Sequence, residues 1–399
     1  MTALVYSWDY IRHLARGHPE KERRYYMNLN LFVASLLVVP LLLQPALTWV
    51  AVELTTVLSV FLVSFDNTPP ALEAAWKYAV ITITGATVAV LGIFLLLWGL
   101  ASAGGSAQTW SALVAAAPHM PAAQLKLAFV LILLGFGTKV GIVPMHTWLP
   151  DAHSQAPTPV CALLSGVEVT TILYVIMRLW PVFQGVPGLF ATRWLEVVGL
   201  VSVGVAAFLL IQVHDFKRLF AFSTVEHMGI LLTALGLGPA GDFGTTYQLL
   251  THGLAKSVAF YAAGSVLMAT GTRNIASVRG LIRISPVAGV TLLLSGLAVA
   301  GAPPFAVFLS ELSIFRAAVS VNEVWVLGLL LFFLAVAFLG IMLHINAMVF
   351  GQPSHPPSST PGSLKLAMAV GWIPLVVLGV YLPPPLDHLL VLATHALRR

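Results

Sequence analysis

Long apolar runs, separated by short polar stretches, make up most of this chain. A helix that crosses a membrane needs about 20 predominantly apolar residues, and we identify eleven runs of this kind. Strands of a membrane β-barrel would alternate apolar and polar residues over about 10 positions, and these runs do not. The pattern therefore predicts an all-α polytopic membrane protein with about eleven spanning helices. They lie near residues 26–47, 48–65, 77–100, 124–146, 159–183, 190–213, 219–238, 243–269, 285–315, 323–351 and 364–385.

The composition supports the membrane assignment and excludes several other classes. Of 399 residues, 58% are hydrophobic and only 9% are charged, and the mean hydropathy is +0.92. Soluble proteins carry roughly 25% charged residues. The single cysteine, Cys161, excludes a disulfide framework and a thiolate cluster. The chain has neither a haem-attachment motif nor a nucleotide-binding loop, so we expect no cofactor and no metal. The basic residues are not clustered with aromatic residues, so we expect no nucleic acid partner.

The distribution of lysine and arginine predicts the orientation. If residues 1–25 lie on one side and the helices alternate, that side holds twelve lysine and arginine residues and the other side six. Positive loops face the cytoplasm, so residues 1–25 are predicted to be a cytoplasmic N-terminal arm. The first apolar run follows this charged arm and lacks a small-residue cleavage site, so it is not a signal peptide. We expect a multi-pass protein of a bacterial or archaeal plasma (inner) membrane.

Nine titratable residues interrupt the apolar runs. One ionised group at the centre of a bilayer costs about 3 kcal/mol on insertion scales, so a structural ion pair would explain one or two such residues but not nine. A proton relay needs groups whose charge can change near neutral pH, and burial has this effect on lysine and glutamate. The nine residues are Glu53, Lys139, Glu168, Glu226, His227, His252, Lys256, Glu311 and His344.

The local spacing does not assign every one of these residues to a relay. His252 and Lys256 share one helical face, which favours a relay over a helix–helix hydrogen bond. Glu226 and His227 lie near a predicted helix start, where capping or surface pairing is an equally good interpretation. A single histidine such as His344 is more often a packing residue.

Two of the charges lie beside helix breakers. Lys139 is followed by Gly141 and Pro144, and Glu311 is preceded by a Gly-x-Pro-Pro sequence at residues 301–304. Broken helices beside a charge are typical of the ion sites of transporters. The two breaks fall in the fourth helix of two predicted five-helix units, at residues 26–183 and 190–351. An odd number of helices makes the second unit inverted relative to the first, and residues 364–399 add a last helix and a tail.

The run KVGIVPMHTWLPDAHSQAPTP at residues 139–159 resembles the signature of the proton-translocating, antiporter-like subunits. These subunits occur in respiratory complex I, in membrane-bound [NiFe] hydrogenases and in Mrp sodium/proton antiporters. The runs DFKRLFAFSTVEHMG (215–229), THGLAK (251–256) and GAPPFAVFLSE (301–311) agree, and the resemblance covers essentially the whole chain. The sequences EHMG, ATGTRN (269–274) and Ser310-Glu311 are most similar to the hydrogenase-4 branch.

The resemblance implies roles for the buried residues. Glu53 matches a glutamate that tunes the affinity of the matching lysine, Lys139, for a proton. His252 and Lys256 match the central hydrophilic axis, and Glu311 matches the last residue of the second half-channel.

The chain departs from the family pattern in two ways. It begins where the fourth of about fourteen family helices begins, so the three leading helices are expected to be absent, encoded separately or lost to a misplaced start. Thr170 stands where some relatives carry lysine, and Glu168 lies two residues earlier. Glu168 is expected to be a relay substitute, a partner for Lys139 or a structural acid.

Three functions remain open from the sequence, together with a scaffold without transport, which the buried charges disfavour. The leading one is a proton-conducting, non-catalytic subunit of a multi-subunit redox complex, whose partner subunits carry the metal centres. The second is an Mrp-type module that exchanges Na⁺ for H⁺. The third is the energising subunit of an inorganic carbon uptake complex, with a zinc-binding partner that resembles carbonic anhydrase.

Overall fold

The computed structural model describes residues 1–15 and 17–397, and within these ranges the chain is helical apart from short connections and one isolated β-bridge. The first nine α-helices cover the first predicted unit and the segment before it. They are α1 (Thr2–Ala15), α2 (Pro19–Val38), α3 (Pro45–Val63), α4 (Pro69–Ser102), α5 (Trp110–Ala116), α6 (Ala122–Val140), α7 (Trp148–Gln155), α8 (Thr158–Leu163) and α9 (Val169–Phe183).

A π-helix, Leu164–Glu168, joins α8 to α9. The remaining helices are α10 (Ala191–Gln212), α11 (Phe216–Gly236), α12 (Asp242–Thr270), α13 (Leu281–Ile284), α14 (Pro286–Val299), α15 (Ala306–Ser320), α16 (Val324–Val349), α17 (Gly362–Val380) and α18 (Pro384–Leu397).

Nine helical stretches in the described ranges are long and apolar enough to cross a membrane. Two predicted spans fall outside this set. The helix α12 has 29 residues but carries many polar side chains, and the predicted span 285–315 is divided into α14 and α15. The all-helical membrane fold is confirmed, and the number of eleven spans stays a prediction.

The predicted N-terminal arm at residues 1–25 contains α1 and the start of α2, and α1 packs against the rest of the protein. The ring of Tyr6 stacks on Tyr261 of α12 with the centroids 4.6 Å apart, and its hydroxyl donates to the Tyr261 carbonyl oxygen at 2.8 Å. One turn later, Thr158 donates to the hydroxyl of Tyr10 at 2.9 Å. Because these tyrosines are spaced by four, they lie on one face of α1 and hold it against the bundle.

The two predicted helix breaks have the same local geometry. Gly141 and Gly301 follow the last turns of α6 and α14 with φ of +84° and +67°, a conformation that favours glycine. The N–H of Ile142 bonds to the Gly137 carbonyl oxygen at 3.1 Å, and the N–H of Ala302 bonds in the equivalent way at 2.9 Å. The predicted spans 124–146 and 285–315 therefore end early as regular helices, because a left-handed glycine stops each one.

Glycines set the distance between α10 and α11, which pack closely along their length. A Cβ atom on Gly229 of α11 would lie 2.7 Å from the carbonyl oxygen of Gly199 and 2.8 Å from the backbone nitrogen of Val203, both on α10. Small residues let membrane helices approach closely. This close packing places α11, which carries Glu226 and His227, in the interior of the protein.

We expect Gly229→Leu to destabilise the protein, because the new side chain would meet backbone atoms that cannot rotate away. Overpacking of this kind costs about 1–3 kcal/mol. The measurement is the midpoint of thermal unfolding of the purified protein in detergent. The control is Gly328→Leu on α16, where an added Cβ has no atom within 4 Å. Equal midpoints for the two variants would contradict the packing argument.

Candidate functional site

Glu53 and Lys139 form a buried ion pair between α3 and α6. Glu53 Oε1 and Lys139 Nζ lie 2.9 Å apart, and the side chains are 18% and 2% exposed. Lys139 also donates to the carbonyl oxygen of Val52 at 3.0 Å and to the hydroxyl of Thr56. An ammonium group has three N–H donors, so in this arrangement every donor of Lys139 has an acceptor.

Glu168 lies next to this pair at the end of the π-helix. Its Oε1 accepts hydrogen bonds from Thr55 at 3.2 Å and from Tyr78 at 3.0 Å. Its Oε2 is buried and has no hydrogen-bond partner among the described residues. Lys139 acts on Glu168 electrostatically, but the ion pair of Lys139 is made with Glu53. Glu168 is therefore a buried acid in which only Oε1 is hydrogen-bonded to described residues.

The same π-helix connects the first half of the chain to the histidines of the second half. The Nε2 atom of His252 donates to the carbonyl oxygen of Ser165 at 3.0 Å. The rings of His252 and His227 lie 5.0 Å apart, and Nε2 of His227 donates to the Val299 carbonyl oxygen at 2.9 Å. π-helical turns often mark functional sites, and this turn joins the surroundings of Glu168 to those of His252.

Hydroxyl and amide groups continue from His227 toward the second helix break. Gln248 Nε2 lies 3.4 Å from Nδ1 of His227, and the hydroxyl of Ser310 donates to the Gln248 side-chain oxygen. Ser310 also lies 2.8 Å from the hydroxyl of Thr251. This network ends at Ser310, the residue that precedes Glu311 on α15.

Glu311 fills space that the break in the α14–α15 pair leaves open. It is 4% exposed, and its Oε1 has no hydrogen-bond partner in the part of the chain that the structure describes. A Cβ atom on Gly301 would collide with this carboxylate. Glycine is therefore required at position 301 both for the positive φ and for the space that Glu311 occupies.

Lys256 and Glu226 lie beside this line of residues. The ammonium group of Lys256, which is fully buried, donates to the Phe220 carbonyl oxygen at 3.2 Å and to the hydroxyl of Ser223. Glu226 interacts electrostatically with Lys256 and with Glu311. We call Glu53, Lys139, Glu168, Glu226, His227, His252, Lys256 and Glu311 the polar axis.

The placement of Glu226 and His227 excludes one alternative that the sequence left open. The helix α11 begins at Phe216, so both residues lie well inside it, and their side chains are only 2% and 0% exposed. Capping or surface pairing is therefore wrong for these two residues. The predicted span starts at residue 219, whereas α11 already starts at Phe216, where Asp215 caps it.

His344 lies apart from the polar axis. Its Nε2 donates to the carbonyl oxygen of Ile211 at 3.1 Å, in a partly exposed contact between α16 and α10. This is the packing role that a single histidine was expected to have, and the structure does not bring His344 together with the relay candidates.

A second polar cluster lies where α7 ends. Ser154 donates to Asp215 Oδ2 at 2.7 Å, and Arg273 donates to the Ser154 carbonyl oxygen at 2.5 Å. The ammonium group of Lys217 is buried and donates to the carbonyl oxygens of Ser154 at 3.0 Å and Ala156 at 2.6 Å. Cations favour the C-terminus of a helix. We call Ser154, Asp215, Lys217 and Arg273 the α7-end cluster.

The sequence reasoning missed the uncharged residues of the site. Thr55 and Tyr78 donate to Glu168, and the Ser165 carbonyl oxygen accepts from His252. Gln248 and Ser310 extend the hydrogen-bond network from His227. The signal that could have found some of them is helical spacing, because Thr56 lies three residues after Glu53 and Gln248 four before His252. Spacing along one helix does not find Tyr78, which reaches Glu168 from a different helix.

The polar axis has the chemistry of a proton path. Carboxyl, imidazole, ammonium and hydroxyl groups can each accept and release protons, and here they follow one another through the interior. No group of three or more His, Cys, Asp or Glu residues in the described ranges could hold a metal ion.

The chain is similar to known membrane proteins. Residues 45–339 match a family described as NADH:quinone oxidoreductase/Mrp antiporter, TM. The chain is 35% identical over 394 residues to a hydrogenase-4 component F homolog from Methylacidiphilum infernorum, covering 96% of this chain and 82% of that protein. It is 30% identical to Na(+)/H(+) antiporter subunit A1 from Staphylococcus haemolyticus, covering 94% of this chain but only 48% of that subunit.

A solved structure has the same fold. A chain of the membrane-bound sulfane sulfur reductase, an archaeal respiratory membrane complex, superposes with a TM-score of 0.86. The two chains are 25% identical, and the match covers 94% of this chain and 76% of the other.

Proposed function

The chain belongs to the NADH:quinone oxidoreductase/Mrp antiporter transmembrane family, and we propose that it is the proton-translocating, antiporter-like membrane subunit of a complex I-like redox complex of the hydrogenase-4 type. The observation that carries the proposal is the polar axis, which runs through the interior from the Glu53–Lys139 pair to Glu311. A buried charge without a function would only destabilise the fold. The eight titratable groups of the polar axis therefore support a transport function.

The Glu53–Lys139 pair acts as the switch of the path. While the pair is closed, each donor of Lys139 has an acceptor, so Lys139 retains its proton. When the two side chains separate, Lys139 loses its counter-ion and releases the proton to a neighbour, because an unpaired buried charge is unfavourable. Glu168 is a second acid on which Lys139 acts electrostatically, and its Oε2, which has no hydrogen-bond partner in the described ranges, accepts that proton.

From Glu168 the path continues through His252 and His227 toward Glu311. Each histidine donates one N–H to a backbone carbonyl, which leaves the other ring nitrogen to accept a proton. Lys256 and Glu226 set the charge around these steps. Each transfer moves one proton from one group to the next, and Glu311 releases it on the far side of the membrane.

We further propose the setting of the subunit. It lies in a prokaryotic plasma membrane with its N-terminus in the cytoplasm, and its partners are other membrane subunits and peripheral redox subunits. Relatives are subunits of multi-subunit membrane complexes. H⁺ is the proposed coupling ion, although Na⁺ uses similar polar paths.

The sequence identities favour the hydrogenase-4 type. The chain is 35% identical to the hydrogenase-4 component F homolog and 30% identical to the antiporter subunit. No observation favours the inorganic carbon uptake reading with a zinc-binding carbonic-anhydrase-like partner.

Purification of the intact complex through a tag on this chain tests the assignment. We expect the co-migrating proteins to include redox subunits with metal centres. Anaerobic inverted vesicles that contain the complex should then acidify when dithionite-reduced ferredoxin is supplied, as measured by quenching of an acridine dye. Recovery of Mrp subunits alone, or of a zinc-binding carbonic-anhydrase-like protein, would overturn the redox proposal.

Lys139→Ala should reduce proton transport by at least about tenfold, because general acid–base groups commonly contribute 10²–10⁴-fold and the ion pair with Glu53 is lost. The measurement is the initial rate of dye quenching in the same vesicles, with co-purification showing that the complex is assembled. The control is Lys126→Ala, because Lys126 lies on the same helix but is not part of the polar axis. An unchanged rate for Lys139→Ala would refute the relay.

Glu168→Gln distinguishes a proton-carrying role of Glu168 from a structural role. Glutamine retains the size of the side chain and can accept hydrogen bonds from Thr55 and Tyr78, but it cannot carry a proton. We expect a transport rate at least about tenfold lower in assembled complexes. If the variant transports protons at the normal rate, Glu168 has a structural role.

Glu311→Gln should block the last step of the path. The glutamine fits beside Gly301 but cannot release a proton, so we expect a loss of similar size to that of Lys139→Ala. The control is Glu323→Gln, which changes an acid that pairs with Arg193 at the protein surface. Normal transport by Glu311→Gln, with an assembled complex, would remove Glu311 from the path.

A further inference from the structure

We infer that His153 carries protons between the polar axis and the membrane face at which α7 ends. The inference rests on the proposed function, because it supplies an uptake route that the polar axis needs on its predicted cytoplasmic side. His153 is on α7, directly before Ser154 of the α7-end cluster.

The geometry of His153 defines its tautomer. Its side chain is fully buried, and Nδ1 lies 2.9 Å from the carbonyl oxygen of Leu149. A carbonyl oxygen can only accept, so Nδ1 carries the hydrogen. The other nitrogen, Nε2, is buried and has no hydrogen-bond partner among residues 1–15 and 17–397. Buried polar atoms rarely lack a partner, so this bare nitrogen is a site that accepts a proton or a water molecule.

His252 shows the same arrangement with the nitrogens exchanged. Its Nε2 donates to a backbone carbonyl, and its Nδ1 is buried without a partner in the described ranges. His227 is similar, because Nε2 donates to a carbonyl and Nδ1 faces the Gln248 amide. Three buried histidines thus each have one nitrogen fixed by the backbone and one able to accept. His344 also donates to a carbonyl, but it lies at a partly exposed helix contact.

The charged neighbours of His153 lie in both directions along the proposed route. Lys256 and His252 of the polar axis interact electrostatically with His153, and so does Lys217 of the α7-end cluster. The rings of Trp148 and Phe260 lie 6.3 Å and 5.5 Å from the imidazole. These rings give His153 apolar neighbours. In the proposed route, the imidazole of His153 is the titratable group that carries the proton past them.

The α7-end cluster provides the outer part of the route. The side chains of Asp215 and Arg273 are 21% and 33% exposed, so the cluster reaches the surface. Asp215 bonds to the hydroxyl of Ser154, the residue next to His153. In the proposed step, a hydronium ion that enters through this cluster gives a proton to His153 Nε2 and remains as water. The same nitrogen then releases the proton toward His252, whose bare Nδ1 accepts it. One proton enters and one leaves, and the ring of His153 returns to its starting tautomer.

The first test compares His153→Asn with His344→Asn in the intact complex. Asparagine can still donate to the carbonyl oxygen that the histidine Nδ1 contacts, but it does not titrate. We expect His153→Asn to slow vesicle acidification by at least about tenfold and His344→Asn to leave it unchanged. Co-purification verifies the assembly of each variant. Normal transport by His153→Asn would overturn the inference.

A second variant distinguishes proton transfer from packing. His153→Ala should transport slowly, and added imidazole should restore part of the rate, because imidazole fits the cavity and carries protons. Pyrazole has the same size but is a far weaker base, so it should not restore transport. Equal effects of the two compounds, or no effect of either, would assign His153 a packing role.

Lys139→Ala, measured in parallel, separates this inference from the proposed function. If Lys139→Ala transports normally, the proposed function fails. If Lys139→Ala is inactive and both His153 variants transport at the normal rate, only the role of His153 is refuted.

Discussion

The cost of holding ionisable groups away from water is the constraint on which the rest of this structure depends. Lys139 is almost fully buried, and its ammonium group is matched by one carboxylate, one carbonyl oxygen and one hydroxyl. Lys256 is buried in the same way against a carbonyl oxygen and a hydroxyl. A membrane interior offers no water to replace such partners. The helices must therefore pack so that polar atoms lie within hydrogen-bond distance of each buried charge.

Irregular backbone supplies many of these polar atoms. Left-handed glycines stop α6 and α14, and the second break leaves the space into which the Glu311 carboxylate fits. The π-helix between α8 and α9 presents the Ser165 carbonyl oxygen to His252 and places Glu168 near Lys139. These irregular segments contain or adjoin Lys139, Glu168 and Glu311 of the polar axis. The regular helices around these segments fix their positions through close packing such as that at Gly229.

Several parts of the site could be predicted from the sequence, and the reasons are local. A glutamate, lysine or histidine inside an apolar run is easily recognised, because the other residues of the same helix are apolar. The break at Gly141 and Pro144 is visible for the same reason. Spacing along one helix also relates His252 to Lys256. In contrast, the burial of Glu226 could not be predicted from the sequence, since it depends on the helices that pack around α11.

The sequence by itself determined the all-helical membrane architecture, the family and the identity of the buried titratable residues, because each depends on the composition and order of residues within single segments. Only the tertiary structure decided which groups meet. The contacts of Tyr78 with Glu168, of Ser165 with His252 and of Ser154 with Asp215 each join different helices. Likewise, the sequence does not show that His153 Nε2 is buried without a hydrogen-bond partner in the described ranges, or that Lys217 and Lys256 act on it. Contacts between segments depend on how helix faces pack, and that geometry is not encoded in the spacing of any one helix.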